Sequence, residues 1–144
     1  MQKLLPIALL LGACGGGSGS PAASPVISSP QAVTAFMQAA ADSNVTRMAE
    51  LWGTSRGPAS KTRPADYEKR LMVLQVWLRG DSTRILSDVA IPGEDNRRRV
   101  SVALYRGNCM KQIPVTTVRI GDGGWIVQNV DISFAGNPAR PCEP

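Results

Sequence analysis

From Ser29 the apolar residues Val33, Phe36, Met37, Ala40 and Ala41 recur at helical spacing, and Asp42-Ser43-Asn44 closes the run. Ser29 followed by Pro30 offers a cap and a first-turn proline, which predicts a helix start there. A shorter stripe of Val45, Met48, Ala49 and Trp52 follows, capped by Ser43 or Asn44 and stopped by Gly53. Gly53 to Arg63 reads as a loop. A third helix is predicted from Pro64 to Arg79, ended by Gly80. Its face of Tyr67, Leu71, Leu74 and Leu78, widened by Val73 and Trp77, predicts burial over much of its girth.

Beyond Gly80 the period drops to two. Ile85, Ser87, Val89 and Ile91 alternate with Arg84, Leu86 and Asp88, and Pro92-Gly93 breaks the run. Val100, Val102 and Leu104 alternate with Arg99, Ser101 and Tyr105. Val115 to Ile120 is mostly β-branched, and Gly121 to Gly124 reads as a hairpin turn. The last predicted strand is Trp125 to Phe134, with Ile126, Val130, Ile132 and Phe134 on its more apolar face. This is an α+β pattern: three N-terminal helices packed on one face of a curved four-stranded antiparallel sheet.

Upstream, the pattern is of another kind. Lys3 precedes an apolar run from Leu4 to Leu11, which is far shorter than the roughly 20 residues of a spanning helix. Leu11-Gly12-Ala13-Cys14 resembles the bacterial lipobox. The resemblance implies cleavage before Cys14, a diacylglycerol on its sulfur and an acylated amino group, a stable anchor. Gly15 in place of Asp as the second mature residue then implies the outer membrane. Gly15 to Pro30 contains four glycines, five serines and three prolines, and reads as a flexible tether. The predicted organisation is a signal peptide at 1–13, a tether at 14–30 and one domain with a C-terminal tail at 31–144.

Composition narrows the chemistry. The chain has no histidine, which excludes histidine acid–base catalysis, histidine-activated nucleophiles and histidine-ligated metals. Sixteen basic and eleven acidic residues give a mild +5, scattered except for Arg97-Arg98-Arg99. That is no nucleic-acid footprint, and nothing in the sequence calls for a metal or another cofactor. Arg97 to Arg99 follow Glu94-Asp95 and read as a solvated strand start; the alternative is a patch for anionic lipid headgroups. Gly121 to Gly124 lies between strands and does not read as a phosphate loop. Removing Cys14 into lipid leaves Cys109 and Cys142. In an up-and-down meander both fall at the same end of the sheet, and an envelope compartment favours their pairing as a disulfide.

The order of helices and strands resembles the nuclear-transport-factor-2-like superfamily, especially its SnoaL-like and small lipoprotein branches. The resemblance rests on Val33-Thr34-Ala35-Phe36, Ala41-Asp42-Ser43-Asn44-Val45, Leu51-Trp52 and Gly124-Trp125-Ile126-Val127 with Asp131, and covers residues 30 to 134. It implies a cone-shaped domain, whose enzymes place Asp, His or Tyr inside the cone. A cystatin-like fold with a single helix is the competing architecture. Asp88, Asp131, Tyr67 and Tyr105 are the polar candidates, and no spacing singles out a catalytic set. Tyr67, Trp77 and Asp131 are the candidate pocket residues, in an apolar cavity reached between the third helix and the sheet. Trp52 and Trp77 otherwise read as core.

The expectation is a membrane-tethered envelope lipoprotein whose domain binds a small apolar ligand or a protein partner. An isomerase, dehydratase or hydrolase of the same fold is one alternative. A structural component acting, or dimerising, through the sheet face is the other.

Overall fold

The computed structural model describes residues 27–121 and 123–144. The expected signal peptide, the Leu11–Cys14 box and most of the expected tether lie outside these residues. Helix α1 spans Ser29–Ala41, and Ser28 rather than Ser29 caps it. The Ser28 hydroxyl accepts from the Gln31 amide, and the Gln31 side chain accepts from the Ser28 amide in return. Ser29 is released from capping and buried, its Oγ 2.7 Å from Thr117 Oγ1 on the sheet. Ser29 and Pro30 therefore belong to the helix and not to the tether.

Helix α2 spans Val45–Leu51 and is capped by the Asn44 side chain. The expected loop after it is structured. Strands β1 (Gly53–Thr54) and β2 (Gly57–Pro58) form a small hairpin, and a one-turn helix α3 (Ala59–Thr62) follows. Gly53 makes the hairpin possible: a Cβ there would lie 2.3 Å from the Gly57 carbonyl oxygen. Gly53→Ala is expected to cost about 1–3 kcal/mol through that backbone clash. A lowered urea midpoint checks it, and an unchanged one excludes the clash.

Helix α4 spans Tyr67–Trp77, starting three residues later than the sequence pattern suggests. Arg63 (φ 47°) and Asp66 (φ 56°) both take the left-handed conformation, so Pro64 and Ala65 form a turn ahead of the helix. The described residues thus hold four helices rather than three, and the smallest is the one that patterning missed.

Four long strands form the main sheet: β3 (Ser82–Ile91), β4 (Glu94–Arg106), β5 (Cys109–Arg119) and β6 (Trp125–Val130). They lie in the order β3-β4-β5-β6, every pair antiparallel. Val100 and Val102 face Val115 and Ile113 across the β4–β5 ladder, and all four are buried. Helix α1 lies across all four strands and fills this face with Val33, Phe36, Met37 and Ala40. Helix α4 packs instead on α1 and α2.

Two β-bulges overturn parts of the strand pattern. Register shifts between Ile85 and Ser87, leaving Leu86 unpaired, so Asp88 and not Ser87 falls opposite buried Val100. Leu86 and Val89 are consequently exposed. A second shift leaves Gln128 unpaired, so Val127 and Val130 both reach the core. Strand β6 then stops at Val130, because Asp131 caps a 3-10 turn over Ile132–Phe134. Phe134, expected on the apolar face of a strand, is exposed.

Candidate functional site

The candidate pocket residues lie in different surroundings. Tyr67 lines a groove of about 480 Å³ between α2, α3 and α4, together with Val45, Ala49, Arg63 and Met72. Its hydroxyl donates to Glu68 Oε1 at 3.1 Å. Trp77 lines a separate surface hollow with Ile132, Ser133 and Gly136. Asp131 turns to its own 3-10 turn, where its Oδ1 accepts from the Ser133 amide and hydroxyl. Between α4 and the sheet, where the sequence pattern puts an apolar cavity, there is a cleft of about 250 Å³. Trp52, Val73, Leu74 and Val130 line it, with Arg70 and Asn129 as its polar members. Arg70 lies over the Trp52 ring, 5.0 Å from its centre, so the buried indole is roofed by a cation. The domain interior is filled by side chains: Phe36, Met37, Met48, Leu71 and Leu104 are all fully buried.

Asp88 is held by Arg98, whose Nε donates to its Oδ1 at 2.8 Å. Arg97 donates to Glu94 Oε1 at 2.9 Å and to Gln128 Oε1 at 2.8 Å. Two of the three consecutive arginines are thereby committed to neighbouring side chains. The sheet face opposite the helices is mixed: Arg97, Arg99, Ser101, Gln112 and Thr116 share it with Ala103, Tyr105, Met110, Pro114 and Val118, and Met110 and Val89 are about half exposed there.

Four of the nine exposed large apolar side chains among the described residues lie together on α4. The helix buries a narrow stripe of Leu71, Gln75 and Leu78. Gln75 is tied down by donating to Ser43 Oγ at 2.9 Å and to the Ala40 carbonyl. On the other side Met72, Val73, Val76 and Trp77 are 50%, 50%, 52% and 37% exposed. These residues fall in i, i+4 pairs and form one continuous outward face. The breadth of apolar positions was legible in the sequence. That it leaves a face uncovered was not, because periodicity does not say how many neighbours a helix has.

The end of α4 is fixed by a residue that patterning passed over. Arg106 is buried, and its guanidinium donates to the carbonyls of Trp77, Arg79 and Ala135. Burial pushes its pKa below the ordinary arginine value. Next to it, the Gly107 amide donates to Asp81 Oδ2 at 2.6 Å. Cys109 and Cys142 lie at disulfide distance, their Cα atoms 5.4 Å apart. No cluster of three or more metal-ligating side chains occurs among the described residues, and none of their helices is long and apolar enough to cross a membrane.

Comparison of the chain with protein-family models, with curated proteins and with solved structures gives no match in any of the three.

Proposed function

We propose that this chain is a lipid-anchored protein of the bacterial cell envelope, in the outer membrane, whose domain is an interaction module. The observation that carries the module is the outward face of α4, where four apolar side chains on two successive turns stand a third to a half in solvent. From Leu71 to Trp77 α4 is apolar except for Gln75, on its outward side as on its buried one, and that outward side is free for a further neighbour. The anchor rests on the lipobox-like Leu11–Cys14, and the resemblance to the nuclear-transport-factor-2-like superfamily rests on the order of the elements.

Each half has its own test. Cys14→Ser is expected to abolish incorporation of labelled palmitate and to leave the leader uncut. A processed, membrane-bound Cys14→Ser protein overturns the anchor. For the face, Val76→Cys in intact cells is expected to resist a water-soluble maleimide, while an exposed position on the sheet face opposite the helices, Arg99→Cys, reacts. Equal labelling of both overturns the module.

A second reading is favoured by the groove around Tyr67, whose volume of about 480 Å³ is within the range of small-molecule sites. Native mass spectrometry of the purified protein tests it. A co-purifying mass that Met72→Asp removes supports a small apolar ligand, and a bare protein mass argues against one.

A further inference from the structure

We infer that the neighbour of the α4 face is the lipid bilayer itself, so that the domain docks on the membrane to which it is tethered. The inference rests on the lipid anchor proposed above. Three features of the molecule point to a bilayer over another protein.

The first is chemistry. Met72, Val73, Val76 and Trp77 present flexible and aromatic apolar groups, and the exposed cations Lys69, Arg70 and Arg79 flank them in the chain, Lys69 paired with Asp66 and Arg70 lying over Trp52. An apolar stripe edged by basic residues and carrying a tryptophan suits the boundary between acyl chains and anionic headgroups. Of the neighbouring acids, Asp66 pairs with Lys69 at 3.6 Å, Glu68 accepts from the Tyr67 hydroxyl and Asp81 accepts from the Gly107 amide, which leaves Arg70 and Arg79 as the cations without an acidic partner among those three. The chain as a whole is basic by five charges, and by four once Lys3 leaves with the leader, so the long-range field favours an anionic surface.

The second is reach. Twelve residues separate Cys14 from Ile27, and at full extension they span about 40 Å. Gln75, in the last turn of α4, bonds the Ala40 carbonyl, which puts that end of the helix beside the far end of α1. Helix α1 has 13 residues, so that point lies roughly 20 Å from the end of the tether at a rise of 1.5 Å per residue. The tether is long enough to let α4 lie on the surface that holds the lipid.

The third is size. Four half-exposed side chains make a patch well below the roughly 800 Å² per partner of a stable protein–protein interface. A surface already linked to the chain needs no such area, because its second contact is intramolecular and its effective concentration is high. A weak face on a tethered domain suits a bilayer; the same face alone would not hold a free partner.

The test uses the lipidated protein in pure phosphatidylethanolamine–phosphatidylglycerol vesicles, with no other protein present. Of the three tryptophans, Trp52 and Trp125 are buried and Trp77 is the exposed one. Brominated acyl chains are expected to quench the emission, and Trp77→Phe is expected to lose most of that quenching. Val76→Asp should lose it too, with an unchanged far-UV spectrum showing that the fold is intact. Quenching that is the same with and without Trp77 overturns the inference. So does a disulfide-linked dimer formed through Val76→Cys in the vesicles, which would identify a second copy as the occupant. If Val76→Cys is shielded in cells while vesicles alone give no quenching of Trp77, a protein partner covers the face and only the bilayer assignment falls. Loss of palmitate labelling in the native protein would instead remove the anchor.

Discussion

Replacing Arg106 with methionine is expected to lower stability by roughly 3–5 kcal/mol, a large share of the 5–15 kcal/mol typical of a small domain. The final carbonyls of any helix lack partners within it. Here one of the orphans at the end of α4, that of Trp77, accepts from the buried guanidinium, as does the Arg79 carbonyl two residues beyond the helix. The remaining Nη donates to the Ala135 carbonyl, so one side chain ties the helix end to the start of the C-terminal tail. Methionine fills much of the volume but leaves three carbonyls without that donor. Hydrogen bonds from a charged group contribute more than neutral ones, and their buried acceptors are costly to leave bare. Arg106→Lys should recover little, because a single ammonium on a flexible stem cannot reproduce the planar fork. Urea unfolding with an unchanged slope and a lowered midpoint is the expected result for both variants. A midpoint equal to that of the native chain for Arg106→Met would show that water satisfies those carbonyls and that the clamp contributes little.

The clamp also bears on the proposed membrane face. Trp77 is the last residue of α4, and its carbonyl is one of the three acceptors of Arg106. Fixing that peptide fixes the direction in which the indole leaves the helix. The buried cation and the exposed aromatic are thus two ends of one local arrangement.

What was legible in the sequence follows from which signals are local. The two N-terminal helices announce themselves through Pro30, Asn44 and Gly53, because capping and helix breaking are decided within a turn. Even so, the cap shifted by one residue to Ser28, since Ser29 finds a buried partner 88 positions away in Thr117. The four strands were legible from their alternation, and the bulges at Leu86 and Gln128 were not. An extra residue in one strand is dictated by the partner strand, and it moves every later side chain to the other face. Strict alternation in β3 sets Val89 on the face of Ile85 and Asp88 on the other; the bulge reverses that, and Arg98 supplies the partner Asp88 needs. The small hairpin at Gly53 has no apolar period at all. Arg106 was illegible for a different reason: its acceptors are backbone carbonyls, which carry no sequence mark.

The cysteine pairing was read from topology, and the structure brings the two residues to disulfide distance. Strand β5 begins at Cys109 and the tail returns from Phe134 toward the same end of the sheet, which brings Cys142 within bonding range. Replacing both cysteines with alanine is expected to cost about 3–4 kcal/mol, the loop-closure value for a separation of 33 residues. The unreduced, denatured native protein should show no reactive thiols, and two thiols would remove the pairing. The cost should depend on Arg106, since both features hold the same segment. Arg106 grips it at Ala135, the cysteines secure it at position 142, and Lys111 Nζ donates to the Glu143 carbonyl at 2.9 Å beyond them. Where the tail is already released from Arg106, the link at Cys142 restrains a segment that no longer contributes its full packing. The cost of losing the cysteines in an Arg106→Met background should therefore be smaller than in the native chain. A double-mutant cycle measures the difference directly. Additive losses would mean that the clamp and the cysteine pair stabilise separate parts of the fold, with the guanidinium serving α4 alone.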